Sequence, residues 1–213
     1  MVFIVSVVLM RIDEGFDGLD VIRGINAEAF PEDDLIPIDI MIGFVGDDLG
    51  GVFAICDERG DVVGFTSLVF GEELVFMPQL AIDSKCRGMG YGSEALDLIR
   101  DYTCDKGDLF FMVEALDEGA LNYDQRVARV RFYERFGFEL YDVEFEIPSG
   151  LMTLMGVGGL DLDVVYADLK YIFTLFLKYV LKDEELVLAL NGGSVGNSRF
   201  CEFHVRGTVS LHK

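Results

Sequence analysis

"SKCRGMGYGSEALDLIRDY", residues 84–102, sets three glycines at alternate positions, Gly88, Gly90 and Gly92, behind Arg87 and ahead of an unbroken helical pattern. Glycine permits left-handed dihedrals and close backbone approach, at an entropic cost. Three of them before a helix bare several N–H groups in a concave turn, and the helix N-terminus adds partial positive charge. Such a turn suits a phosphate or diphosphate; a tight turn without a ligand is the plainer reading of the same residues. A Walker A loop fits badly, because it ends in Gly-Lys-Ser/Thr where this chain has Tyr91, Gly92 and Ser93. A dinucleotide fingerprint fits "GMGYGS" loosely and finds an acidic residue, Glu114, about 20 residues on, but it wants a parallel sheet from the start.

The flanking sequence offers a meander instead. "EELVFMPQLAID" (72–83) is a strand leading into the turn, and "GGVFAICDERGDVVGFTSLVF" (50–70) is two β-rich runs about a turn-forming segment, an antiparallel hairpin. Before them come a strand over 3–11 and a helix within 15–30, where Leu19, Ile22, Ile25 and Phe30 keep roughly helical spacing until Pro31. In the acidic stretch 32–50, "IPIDIMIGFV" suits a short helix or a covering loop. After the glycines follow a helix over 90–103, a strand over 108–116 and a helix over 124–136 with Gly137 as its C-cap. A strand over 138–147 and its hairpin partner over 151–157 come next. The β-α-β unit over 72–116 implies parallel neighbours. The expected fold is α/β, a mixed, mostly antiparallel twisted sheet flanked by helices. Residues 1–158 form one domain and 159–213 a C-terminal extension: a long apolar helix over 161–182, then a weakly specified tail. That helix suits packing on the sheet or, in a homodimer, on a second copy.

With 51% apolar residues, 18 Phe and 8 Tyr in 213 residues, a substantial core is available despite a formal net charge of -21. The charge disfavours nucleic acid or an anionic membrane as partner. Four cysteines without paired spacing and two late histidines make no metal site and point to a reduced, cytoplasmic protein. "MVFIVSVVLM" lacks the basic start and cleavage site of a signal peptide, and "YIFTLFLKYVL" (171–181) is too short to span a bilayer. Glu28, Glu32, Asp33, Asp34, Asp39, Asp47 and Asp48 make an acidic stretch that would attract an amine or basic peptide, although general acidity yields the same pattern.

Against that background "QRVARVRFYERFGF" (125–138) carries Arg126, Arg129, Arg131 and Arg135, a local accommodation for an anion or a balance for neighbouring carboxylates. "LAIDSKCRGMGYGSEAL" resembles motif A of the GCN5-related N-acetyltransferase (GNAT) superfamily, with Arg87, Gly90 and Gly92 matching its core. "VRFYERFGFE" (130–139) resembles the motif that follows it, and the likeness covers about residues 3–157. The resemblance implies two central parallel strands that splay apart to admit acetyl-CoA. It implies backbone contacts near Leu80 and Ile82 for the pantetheine arm, and amides of Arg87, Gly88, Met89, Gly90, Tyr91, Gly92 and Ser93 around the diphosphate. Where the family often has asparagine and alanine before its tyrosine, this chain has Arg126 and Arg129; Asn122, nearby, is the substitute cofactor contact.

The implied reaction is N-acetylation of a primary amine, on a small molecule or peptide, by direct attack in a ternary complex. Tyr133 would protonate the departing thiolate. Glu114, partly buried with its pKa raised, would be the general base or a charged contact for the amine. Cys86 has no histidine partner in sequence, which disfavours a covalent route. The alternatives are an inactive acyl-CoA-binding or assembly module and an enzyme of another diphosphate.

Overall fold

The meander expected from the first half of the chain is present in a computed structural model that describes residues 6–32, 35–46, 48–147, 150–181 and 204–206. The chain divides into two compact units, Met1–Leu109 with Leu162–Lys182, and Phe110–Asp161 with Asp183–Lys213.

In the first unit, strand β1 (Val7–Ile12) leads to helix α1 (Leu19–Ala29), then helix α2 (Ile38–Val45). Within the ambiguous stretch 32–50, Ile38–Val45 is thus a helix. Strands β2 (Gly50–Asp57), β3 (Val62–Phe70) and β4 (Leu74–Ile82) follow, pairing antiparallel in the order β1-β2-β3-β4. The β2–β3 turn closes on Asp57, whose carboxylate accepts the backbone N–H of Arg59 at 2.9 Å and of Asp61 at 3.0 Å. β2 is buried along its whole length, so both of its faces are covered. Helix α3 (Tyr91–Thr103) buries Ala95, Leu96 and Ile99, and its Ala95 and Leu98 share a cluster with Val7, Ile55, Val63, Leu80 and Ile82.

β4 departs from the plain strand read in the sequence. Its register against β3 slips by one residue between the pairs Ser67↔Gln79 and Val69↔Phe76, so Met77 and Pro78 together face Leu68. A proline has no N–H for a ladder and is tolerated at a bulge. Pro78 was the signal for it.

The C-terminal helix α5 (Leu162–Leu181) belongs to this first unit and contacts β4 and α2. Val165, Asp168, Leu169 and Ile172 form its buried stripe, and Phe176 stacks edge-on against Phe44 of α2 at 5.1 Å. The apolar helix packs within the chain. The anchor is polar. Asp168, 1% exposed, accepts the backbone N–H groups of Glu72 at 3.0 Å, Glu73 at 3.1 Å and Leu74 at 2.7 Å. A Cβ on Gly71 would stand 2.2 Å from its carboxylate, so the turn before β4 must be glycine at that place.

The second unit holds β5 (Asp108–Glu114, whose first two residues count with the first unit), α4 (Tyr123–Glu134), β6 (Phe138–Ile147) and β7 (Gly150–Val157). Its strands pair antiparallel, β5 with β7, β7 with β6, and β6 with a short β8 (His204–Arg206) that the sequence reading did not assign. The rest of the tail, 183–203 and 207–213, lies outside the described residues. The fold class is the one expected from sequence: α/β, with mostly antiparallel strands, flanking helices and a long C-terminal helix. Among the described residues no helix is long and apolar enough to cross a membrane.

Replacing Asp168 by alanine would leave three N–H groups without their acceptor and cost roughly 3 kcal/mol of stability, given the penalty for unsatisfied buried donors. A urea titration of both proteins checks this; an unchanged midpoint would mean that α5 is held by its apolar stripe alone.

Candidate functional site

The alternation of glycines resolves into a turn with two left-handed residues. After β4 the chain makes a short 3-10 turn over Ser84–Cys86, then passes through Gly88 at φ +75° and Gly90 at φ +97° into the first residue of α3. A Cβ on Gly88 would meet nothing within 4 Å, so the dihedral, and not crowding, calls for glycine there. Gly90 is the N-cap of α3, and its carbonyl accepts the N–H of Ser93 at 2.9 Å and of Glu94 at 3.2 Å. The first N–H groups of a helix have no partner inside it, so Tyr91 and Gly92 begin α3 with amides available to a guest. Arg87, Gly88, Met89 and Gly90 are exposed; Tyr91, Gly92 and Ser93 are half-buried. Arg87 donates its Nε–H to the carbonyl of Ile82 at 3.0 Å, folding back over the end of β4.

Leu80 and Ile82 lie on the face of β4 that packs against α3, in the cluster that also takes up Cys86 and Tyr91. Burial, then the charges of Asp83 and Asp57, push the Cys86 thiol up, away from thiolate character. All the expected residues from 80 to 93 are therefore one contiguous strand-turn-helix passage.

Glu114, Asn122 and Tyr133 belong to the second unit. Glu114 ends β5 and Asn122 precedes α4. Asn122 donates its amide N–H to Glu114 Oε1 at 2.8 Å, so these two are brought together. Arg126 places Nη2 at 3.2 Å from Glu114 Oε1, donates Nε–H to Asn122 Oδ1 at 2.8 Å and Nη1–H to the carbonyl of Ala115 at 2.7 Å. Arg129 donates to Glu114 Oε2. Arg126 and Arg129 are three apart on one helix face, which is how both reach a single carboxylate.

This corrects the expectation for Glu114. Burial by itself raises its pKa, but the hydrogen bonds from Arg129 and Asn122 and the charges of Arg129 and Arg126 outweigh it, holding the carboxyl below its ordinary range. Of the two readings open for Arg126 and Arg129, balance of a carboxylate is the one observed. Asn122 spends both ends of its amide inside the cluster. Sequence reasoning named Glu114 and the arginines but did not join them; the spacing of the arginines was the available signal.

Tyr133, in the last turn of α4, is 8% exposed and sits among the rings of Phe111 at 4.2 Å, Phe132 at 5.1 Å and Phe138 at 6.1 Å. Burial pushes its phenol up to about 12, so it holds its proton throughout the neutral range.

Residues 49–140, which run from β2 to the start of β6, match the acetyltransferase (GNAT) domain family. A protein from Bacteroides thetaiotaomicron described as a GNAT-family acetyltransferase superposes with a TM-score of 0.63 at 19% identity, covering 82% of this chain and 97% of that one. A GNAT-family acetyltransferase from Elizabethkingia anophelis with acetyl-CoA bound gives 0.53 at 11% identity, covering 71% and 97%. A spermidine N-acetyltransferase from Vibrio cholerae gives 0.56 at 15% identity, covering 71% and 92%. At these identities the likeness is one of fold. Among functionally curated proteins none matches the chain.

Replacing Arg129 by glutamine should raise the Glu114 pKa, since burial then meets less opposition. Because that pKa is depressed in the native protein, the stability from the pair is present above the ordinary carboxylate pKa and is lost as pH falls through the folded value. The variant should lose this acid-sensitive part. A carbon-detected NMR titration of the glutamates checks the shift; an unmoved Glu114 resonance would show that Arg126 and Asn122 suffice.

Proposed function

We propose that this chain, whose residues 49–140 match the acetyltransferase (GNAT) domain family, is an acetyltransferase that moves an acetyl group from acetyl-CoA to a primary amine of a small molecule or peptide. The single observation that carries the reading is the passage from β4 into α3, where left-handed Gly88 and Gly90 turn the backbone so that a helix N-terminus faces outward. That is the chemistry a diphosphate requires: unpaired N–H groups and partial positive charge in a chain whose net charge of -21 otherwise repels anions.

In this reading the amides of Gly88, Met89, Gly90, Tyr91 and Gly92 hold the diphosphate, those of Arg87 and Ser93 being already donated to the carbonyls of Ser84 and Gly90, and the backbone of β4 at Leu80 and Ile82 takes the pantetheine amides. The thioester is already activated, so the protein's task is to position the amine, take its proton and manage the leaving thiolate. The amine nitrogen attacks the carbonyl carbon, the carbon–sulfur bond breaks with its electron pair leaving on sulfur, and the proton that the nitrogen sheds passes to solvent water, from which Tyr133 recovers the proton it gives. Tyr133 would give that sulfur a proton, a role suited to a phenol that stays protonated at neutral pH. Glu114, ionised and held by two arginines, is better suited to an electrostatic contact with the amine than to strong base catalysis. Its engagement is also the observation that favours the second reading, a module that binds acyl-CoA without turnover.

Calorimetric titration with acetyl-CoA should show saturable binding that NAD and ATP do not reproduce. Gly90→Ala, strained at its positive φ, should weaken that binding by about tenfold. A panel of a polyamine, an amino acid and a peptide with a free N-terminus then tests turnover through thiol release. Tyr133→Phe should lower kcat by roughly a hundredfold with acetyl-CoA affinity nearly unchanged. Absence of binding to folded protein would overturn the proposal, and binding with no dependence of turnover on Tyr133 would favour the inactive module.

A further inference from the structure

Gln79 occupies the residue before Leu80 and points to the opposite face of β4, where it is 3% exposed. Its side-chain amide is used at both ends. Nε2–H donates to Asn26 Oδ1 of α1 at 3.0 Å and to the carbonyl of Ile36 at 3.3 Å, while Oε1 accepts the hydroxyl of Ser67 at 3.2 Å. Asn26, 2% exposed, donates to the same Ile36 carbonyl at 2.9 Å. The Gln79 backbone carbonyl takes the hydroxyl of Thr66 at 2.8 Å. An acidic connection between α1 and α2 is thus tied to β4 through a glutamine and an asparagine, at the residue next to the bulge of Met77 and Pro78.

The position of this tie gives it a use. Measured from Ile82, an extended pantetheine arm covers about five strand residues at roughly 3.3 Å each, which brings its end to the neighbourhood of Pro78 and Gln79. The acceptor amine has to reach that end. We propose that Gln79 is a positioning residue for the acceptor: it registers Ile36 and the start of α2 against the part of β4 where the thioester ends. This rests on the acetyl-CoA reading above. An amide is required because one group must donate twice and accept once; leucine of similar size keeps the packing and loses all three bonds. The acetyl donor, held in that reading by the backbone of β4 and by the turn at 87–93, does not depend on the Gln79 side chain.

The test is Gln79→Leu, with Asn26→Ala as a second variant that breaks the same tie from α1. Each is compared with the wild type by calorimetry with acetyl-CoA, by steady-state kinetics with the panel amine acetylated fastest, and by amide hydrogen exchange over residues 35–45. The expected result is an acetyl-CoA Kd within about twofold, an amine KM raised roughly tenfold with kcat changed far less, and faster exchange over 35–45. An unchanged KM with unchanged exchange overturns the inference and leaves the acetyl-CoA reading standing. So does a joint loss of acetyl-CoA affinity and kcat, which would mean that β4 itself had been disturbed. If Gln79→Leu fails to fold, Asn26→Ala decides by the same criteria. If the panel yields no substrate, faster exchange over 35–45 with acetyl-CoA affinity retained supports the tie, and unchanged exchange overturns it. If the wild type does not bind acetyl-CoA, the proposed function falls first and this inference with it.

Discussion

A proline in the middle of a strand cannot donate to the ladder, and Pro78 puts that constraint in β4 at the place where much of the first unit is tied together. The ladder with β3 skips a residue, so Met77 and Pro78 share one partner and the register resumes at Gln79. Beyond the bulge, Leu80 and Ile82 face α3 while Gln79 faces α1. Before it, the turn at Gly71–Leu74 is held by Asp168 from α5. After it comes the glycine turn that starts α3. One strand therefore carries the C-terminal helix, the α1–α2 connection and the candidate diphosphate turn.

The fastenings along β4 are polar. Asp168 satisfies three N–H groups at once, and Gln79 with Asn26 satisfies the Ile36 carbonyl twice. Buried polar groups cost free energy unless every member finds a partner, and when they do they specify one arrangement rather than adding much stability. Apolar contacts such as Phe44 with Phe176 hold the same elements but tolerate small slips; a carboxylate accepting three amides does not. The second unit uses the same device at Glu114, where two arginines and an asparagine fill one carboxylate.

Much of the fold was legible because it depends on local patterns. Apolar periodicity, the Asp-Glu-Arg-Gly-Asp turn and the apolar run after residue 161 each identify an element within a short window. The left-handed conformation of Gly137 was legible too, at φ +80°, although α4 ends earlier than expected and its C-cap is Arg135. The candidate diphosphate turn was readable for the same reason: spaced glycines next to a helical pattern describe a backbone shape directly. The state of Glu114 was not readable. Its pKa depends on whether Arg126 and Arg129, twelve and fifteen residues away in sequence, turn toward it, and burial alone predicts the opposite direction. The network of Asn26, Gln79 and Ser67 was equally hidden, although an asparagine beside Ile22 and Ile25 and a glutamine inside "VFMPQLA" were visible oddities.

What the sequence by itself determined is most of the elements, though not α2 or β8, their order and the backbone turn at 87–93, since each follows from dihedral preference and periodicity within about one element's length. Only the tertiary structure decided which polar side chains meet: Asp168 with the turn before β4, Gln79 with Asn26 and Ile36, Glu114 with two arginines. Those pairings join residues as much as 96 positions apart. Their partners are selected by register and helix packing, which no local pattern encodes.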